Sequence, residues 1–325
     1  MAIDLLNLTP QVISKDLRSK YILLAGAPKI GKTEFCTQSP DALIFATEIG
    51  TNARPGAMVQ PITKWSDFKL ALRQLENDAV KAKFSTVCID TITILYDLCE
   101  QFICAQNGVQ KIGDIPYGAG YTQTSKEFEN SLRKITMLGY GLIMTCHLKE
   151  SMNEEGQLVA CKPDLNNRCL KIVNGLVDII GVITQSWNDK GESQRWVRTR
   201  STPIITAGTR YKYMKPIIPF GYDEFVKAVV EAIEEEEKRG AVVVDEAPLF
   251  SAEVLDFDEI FNKAKSLWSQ LIGSCENEEE QVQMAKRLQK KIEMIFGRQM
   301  KLSEVTEDQT DLLNLMVIEM KEMVK

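Results

Sequence analysis

The chain has 325 residues, 44% of them hydrophobic and 26% charged, with a formal net charge of -6 and a pI of about 5.2. That length allows one large domain or two, with a core that needs no disulfide staples. The acidic balance excludes a general electrostatic pull toward nucleic acid or anionic membrane, and the lack of any run of about 18 apolar residues excludes a membrane-spanning helix.

Taken in chain order, strand-like and helix-like segments alternate. Tyr21–Ala25 is a short apolar run that meets a glycine-rich turn, and a helical stretch opens at Lys32. Residues 41–47 read as a second buried strand, and 65–80 carry Phe68, Leu72, Leu75 and Ala79 at helical spacing. Residues 86–89 form a third strand that ends at Asp90; 93–105 read as a helix, 107–120 as a Gly/Tyr-rich loop and 125–138 as a helix. A fourth strand, 141–146, ends at His147, and further strands are expected at 176–184 and 194–199. This alternation predicts an α/β fold with a mainly parallel sheet flanked by helices on both faces.

The composition shifts near 231–240, where Glu234–Glu237 is an unbroken acidic run. Beyond it, 241–251 has a proline and no helical period, and the last segment repeats apolar residues at helical spacing in three stretches. The predicted organisation is an α/β domain over 1–235, a linker over 236–252 and a helical carboxy-terminal region over 253–325. Residues 241–325 together carry a net charge of about -7, which leaves the first 240 residues near neutral.

The eight cysteines are scattered without a CxxC pair, and His147 is the sole histidine, which argues against zinc sites and a disulfide framework. The opening MAIDLLNLTPQVISKD has no basic region followed by a long apolar one. A reducing cytoplasm is the expected location.

The strongest motif is Gly26-Ala27-Pro28-Lys29-Ile30-Gly31-Lys32-Thr33, a GxxxxGK[ST] match. A chain of this length meets that pattern by chance about once in a hundred, and the apolar strand before it and the helical pattern after it lower the odds further. Glycines let the backbone N–H groups turn toward a triphosphate. Lys32 neutralises its oxygens and the Thr33 hydroxyl is a ligand for Mg²⁺, while the cradle extends to Glu34 in the first turn of the helix. The expected cofactors are ATP and Mg²⁺. Asp90, at the end of an apolar strand, stands where P-loop enzymes keep the acid of the metal shell.

Hydrolysis needs a group that orients the attacking water. Many ATPases place a glutamate directly after that aspartate, but here Thr91 follows Asp90. The alternative is Glu48, which ends the second strand; if that strand neighbours the phosphate loop, its carboxylate faces the γ-phosphate, and otherwise it caps a solvated turn.

GAPKIGKT, a strand ending in Glu48, a strand ending in Asp90-Thr91 and then GLIMTCH together resemble RecA-like P-loop ATPases. More closely they resemble phage-encoded ones, including Sak-type single-strand annealing proteins. The resemblance covers roughly 15–230. It implies that Glu48 activates water, that Asp90 supports the metal, and that His147, standing where RecA has an amide, senses the γ-phosphate and leads into a DNA-facing loop. It further implies ATP hydrolysis in DNA recombination, single-stranded DNA as partner and a homo-oligomer, with a single-strand-binding protein or replication partner as further company. A helicase-like or loader ATPase, or a nucleotide-gated scaffold with little hydrolysis, shares the same nucleotide-site residues.

Two loops, 107–123 and 149–168, are candidates for contact with single strands or are ordinary surface loops; the first has Tyr117 and Tyr121 for stacking and flexible glycines at 108, 113, 118 and 120. The most basic stretch, 195–215, interleaves Arg195, Arg198, Arg200, Arg210, Lys212 and Lys215 with Trp196, Tyr211 and Tyr213. It suits DNA contact, a cation given in trans to a neighbour's ATP site by Arg200, Arg210 or Lys212, or a solvated hairpin rim.

Overall fold

A computed structural model describes residues 12–48, 55–244 and 256–324. They fall into two compact units, within 2–251 and 252–325.

The first unit is built in chain order as follows. Strand β1 (Ile13–Ser14) precedes β2 (Tyr21–Ala25), the phosphate loop and α1 (Lys32–Gln38). Next come β3 (Ala42–Ala46), β4 (Met58–Pro61), α2 (Trp65–Gln74), α3 (Asp78–Lys83), β5 (Thr86–Asp90) and α4 (Ile92–Gln106). After two 3-10 turns follow α5 (Ala119–Met137), β6 (Gly141–Cys146), β7 (Leu148–Met152), β8 (Leu158–Pro163) and α6 (Asn167–Leu176). The unit closes with β9 (Ile179–Trp187), β10 (Ser193–Arg198), β11 (Gly208–Thr209), β12 (Ile217–Pro219), α7 (Tyr222–Glu237) and β13 (Val243–Val244).

The main sheet runs β12-β10-β9-β2-β6-β5-β3-β4, with β11 paired to β9. Six strands, β9 through β4 in that order, are mutually parallel; β10 and β11 pair antiparallel with β9, and β12 pairs antiparallel with β10. Alternation along each strand makes two cores, because successive side chains leave a strand on opposite faces. Leu23, Phe45, Val87, Ile89, Leu142 and Met144 point to one face, under α2, α4, α5 and α6. Ile22, Leu24, Ile44, Cys88 and Ile143 point to the other, under α1 and α7. Strands covered on both sides read as continuous apolar runs, the property that makes them legible. All eight cysteines are free thiols, seven of them buried. Among the described residues no helix is long and apolar enough to cross a membrane.

Several sequence expectations change. The predicted helix over 65–80 is two helices, parted at 75–77, where Asn77 caps α3 by accepting from the Ala79 N–H at 2.8 Å. The strand expected at 176–184 begins at Ile179, because α6 runs to Leu176. Loop 149–168 is largely a hairpin, β7 against β8. The predicted linker begins inside α7 and contains β13, which pairs in parallel with β1; its residues 245–252 lie outside the described residues.

The second unit holds three helices, α8 (Phe257–Gly273), α9 (Glu278–Phe296) and α10 (Thr310–Val324). Ile260, Leu271, Leu288, Ile292, Leu313 and Met316 form its own core. Asp256 and Asn277 cap the starts of α8 and α9 through the amides of Glu259 and Glu280.

Candidate nucleotide site

The register of the parallel strands brings the site together. Ala46 lies opposite Asp90, Asp90 opposite Thr145, and Ala25 opposite both Cys146 and Val182. The carboxyl ends of β2, β6, β5 and β3 therefore stand level, with β9 running past them, the edge where open α/β sheets take ligands.

From β2 the chain turns into GAPKIGKT. The Gly26 N–H donates to Cys146 O at 3.2 Å, and a Cβ at Gly26 would come within 2.9 Å of Ile30 Cγ2. Lys29 and Gly31 both have positive φ, 62° and 114°; the latter is available at low cost only to glycine. The first i to i-4 bond of α1 runs from the Phe35 N–H to Gly31 O at 3.0 Å, so the amides ahead of Phe35 have no partner within the helix.

Lys32 is buried, and its Nζ donates to Gly26 O and Ala27 O, each at 2.9 Å. The same Nζ stands 3.4 Å from His147 Nδ1. Burial pulls the Lys32 ammonium below the ordinary lysine range, opposed by the nearby Asp90 carboxylate. The Thr33 hydroxyl donates to Asp90 Oδ2 at 2.6 Å, and the Thr145 hydroxyl donates to Asp90 Oδ1 at 2.5 Å. One hydroxyl and one carboxylate in contact suit Mg²⁺, a hard ion that takes few protein oxygens and fills its shell with water and phosphate.

Glu48 ends the β3 segment, but that strand is not a neighbour of β2. Strands β6 and β5 lie between them, which corrects the expectation of adjacency. Glu48 still reaches the site, because it follows β3 past the edge. Its Oε1 accepts from the Thr91 hydroxyl at 3.0 Å and lies 3.5 Å from His147 Nε2. Thr91 is fixed in turn: its N–H donates to Thr47 Oγ1 at 2.8 Å, and the Thr47 hydroxyl donates to Thr91 O at 3.0 Å. Lys32, His147 and Glu48 thus form a continuous chain across the mouth of the phosphate loop.

Sequence reasoning missed three participants. Thr145 was a polar residue inside an apolar strand, a readable signal. Thr91 counted only as a missing glutamate, whereas it aims Glu48. Arg195 belonged to the basic stretch but not to the nucleotide site, and its Nη1 donates to Ile30 O at 2.7 Å.

The other basic residues lie elsewhere. Arg200 donates to Thr209 O, Tyr211 O and Lys212 O. Arg210 bonds Asp178 Oδ1 at 3.2 Å and Gly175 O at 2.9 Å. Asp178 also accepts from the Tyr21 N–H at 3.0 Å, which puts Arg210 at the amino edge of the sheet, opposite the phosphate loop. Lys212 lies over the Tyr213 ring.

The two candidate DNA loops meet. The Arg168 guanidinium, at the start of α6, lies 4.2 Å from the Tyr121 ring centroid. Glu127 on α5 accepts from Trp65 Nε1 and Lys69 Nζ, at the carboxyl edge where α2 begins, so the turns of α5 before it overhang that edge. Ile112 and Ile115 anchor the preceding loop, and Tyr117 is fully exposed in a left-handed conformation, φ 57°.

A family model described as AAA domain matches residues 18–211. The chain belongs to the AAA domain family. It is 26% identical over 336 residues to the "SPbeta prophage-derived uncharacterized protein YorG" of Bacillus subtilis (strain 168), covering 100% of this chain and 99% of that one. Among solved structures it is similar to the flagellar accessory protein FlaH of Methanocaldococcus jannaschii, at 11% identity over 62% of this chain and 85% of that one, with a TM-score of 0.33. Membership in the AAA domain family makes the matched region a P-loop ATPase-type domain, and the GAPKIGKT loop lies within it.

Proposed function

We propose that this AAA domain protein is a RecA-like, magnesium-dependent ATPase that acts on single-stranded DNA in phage-type recombination, as a homo-oligomer of the Sak-type class. The observation that carries the hydrolytic part is the alignment at one edge of Lys32, the Thr33–Asp90 pair and Glu48, the last held by Thr91 at 3.0 Å.

Lys32 exchanges its two carbonyl partners for phosphate oxygens. Thr33 and Asp90 would hold the Mg²⁺, which would neutralise charge on the triphosphate. Glu48 Oε1 accepts a proton of the attacking water and orients it for in-line displacement. His147, between Lys32 and Glu48, reports the terminal phosphate to β7 and β8, because the Asp164 N–H at the end of that hairpin donates to His147 O at 2.8 Å.

The single-stranded DNA part is supported by Tyr117 and by the Tyr121–Arg168 stack, which give exposed ring and cation surface where the two loops join. The prophage origin of the relative that matches the whole chain supports the phage setting.

The test is ATP turnover with and without single-stranded DNA. Lys32→Ala is expected to abolish nucleotide binding. Glu48→Gln is expected to keep binding while lowering turnover by roughly a hundredfold or more. Turnover that Glu48→Gln leaves intact would remove the hydrolytic role, and indifference to DNA would remove the recombination role.

A further inference from the structure

The geometry points to Arg195 as the residue that sets the phosphate-gripping conformation of the loop, by holding the Ile30–Gly31 peptide from outside. This deepens the reading above and rests on the loop being a nucleotide site.

Arg195 belongs to a part of the sheet that overhangs the site. Val182 on β9 is level with Ala25, the last residue of β2, and β9 continues to Trp187. Arg195 on β10 pairs with Gln185, three residues beyond that level, or roughly 10 Å past the end of β2. From there its side chain reaches back to the loop, and Nη1 donates to Ile30 O at 2.7 Å.

Three observations make this a constructed contact. The guanidinium lies over the Phe220 ring, 4.9 Å from its centroid. The Phe220 N–H donates to Arg195 O at 2.9 Å, so the two residues fix one another. Both press on Gly31: a Cβ there would lie 2.7 Å from Arg195 Nη1 and 2.9 Å from Phe220 Cε1. The glycine of the motif is thus required by its φ of 114° and by this wall as well.

The consequence follows from peptide planarity. In a trans peptide the C=O and the next N–H point in opposite directions. With Ile30 O turned toward Arg195, the Gly31 N–H is turned away from it. In a phosphate loop such amides hold the phosphate oxygens, so Arg195 is a positioning residue for one of them. A carbonyl acceptor also leaves the guanidinium charge unneutralised, adding a positive centre beside Lys29 and Lys32.

Calorimetric titration of the full chain with ATP and with ADP, each with magnesium, compares Arg195→Ala, Arg195→Lys and Lys32→Ala with the native protein. Arg195→Ala is expected to weaken both nucleotides about tenfold, the scale of one charge-assisted hydrogen bond. Arg195→Lys still donates to the carbonyl and is expected to recover most of that loss, with the nucleotide-free melting midpoint unchanged in both. Native affinity in Arg195→Ala overturns the assignment. Equal loss in the alanine and lysine variants, or a fall in the nucleotide-free midpoint that accounts for the loss, makes Arg195 a packing residue and also overturns it. An unaffected Lys32→Ala would instead remove the nucleotide-site reading itself.

Discussion

Lys32 is the residue whose ionisation responds most directly to a ligand. In the free protein burial disfavours its charge, and Asp90 is the main group favouring it. A bound triphosphate adds negative charge beside Nζ and raises its pKa. In the window just below the ordinary lysine value of 10.5, binding therefore takes up a proton, and affinity falls as pH rises through that window. Titrations at alkaline pH in two buffers of different ionisation enthalpy are expected to show this uptake in native protein and not in Lys32→Ala. Equal heats in both buffers would contradict it. The role of Lys32 is legible in the motif because phosphate chemistry fixes its spacing locally. That of Arg195 is not, because its partner is 165 positions away in sequence and the contact exists only once β9 and β10 have paired.

Among the elements, the aromatic seam joining α2, α4 and α5 decides whether the overhanging part of α5 is held. Phe128 stacks on Trp65 with centroids 5.9 Å apart and meets Tyr96 edge-on at 4.9 Å, and all three are buried. Phe128→Ala is expected to cost about 3–5 kcal/mol, read from urea denaturation, and a cost under about 1 kcal/mol would mean that the seam is not what fastens α5. Strands β2 and β6 have the bounds their apolar runs predict, since burial on both faces leaves a continuous hydrophobic signature. The break between α2 and α3 is hidden because Leu75 and Ala79 continue the helical period across it, although Asn77-Asp78 is a legible cap. Hairpin β7–β8 escapes because its strands are mostly exposed and carry no alternation strong enough to set them apart from a loop.

At the scale of the whole molecule, all residues of the nucleotide site lie within 2–251, and the helical unit has a separate core. Leu313, fully buried in that second core, gives a clean test. Leu313→Ala is expected to destabilise the helical unit by about 2–5 kcal/mol and to leave ATP affinity unchanged. A parallel loss of affinity would show that the site is not complete within the first unit. The separation was legible as a change from alternating strand and helix patterns to three helical repeats, whereas β13 was not, because two residues carry no period.

Asp90 is gripped from two sides. Both of its oxygens are already engaged by hydroxyls, Thr33 on one and Thr145 on the other. A metal ion at this pair would have to be received by a swap of partners: Thr33 would redirect its proton and offer a lone pair, and the carboxylate would surrender a short bond. A bare cation gains little from that trade, since it supplies no acceptor for the displaced proton. A polyphosphate would supply one, so a metal bound here would be expected to enter as part of the nucleotide it accompanies and not ahead of it.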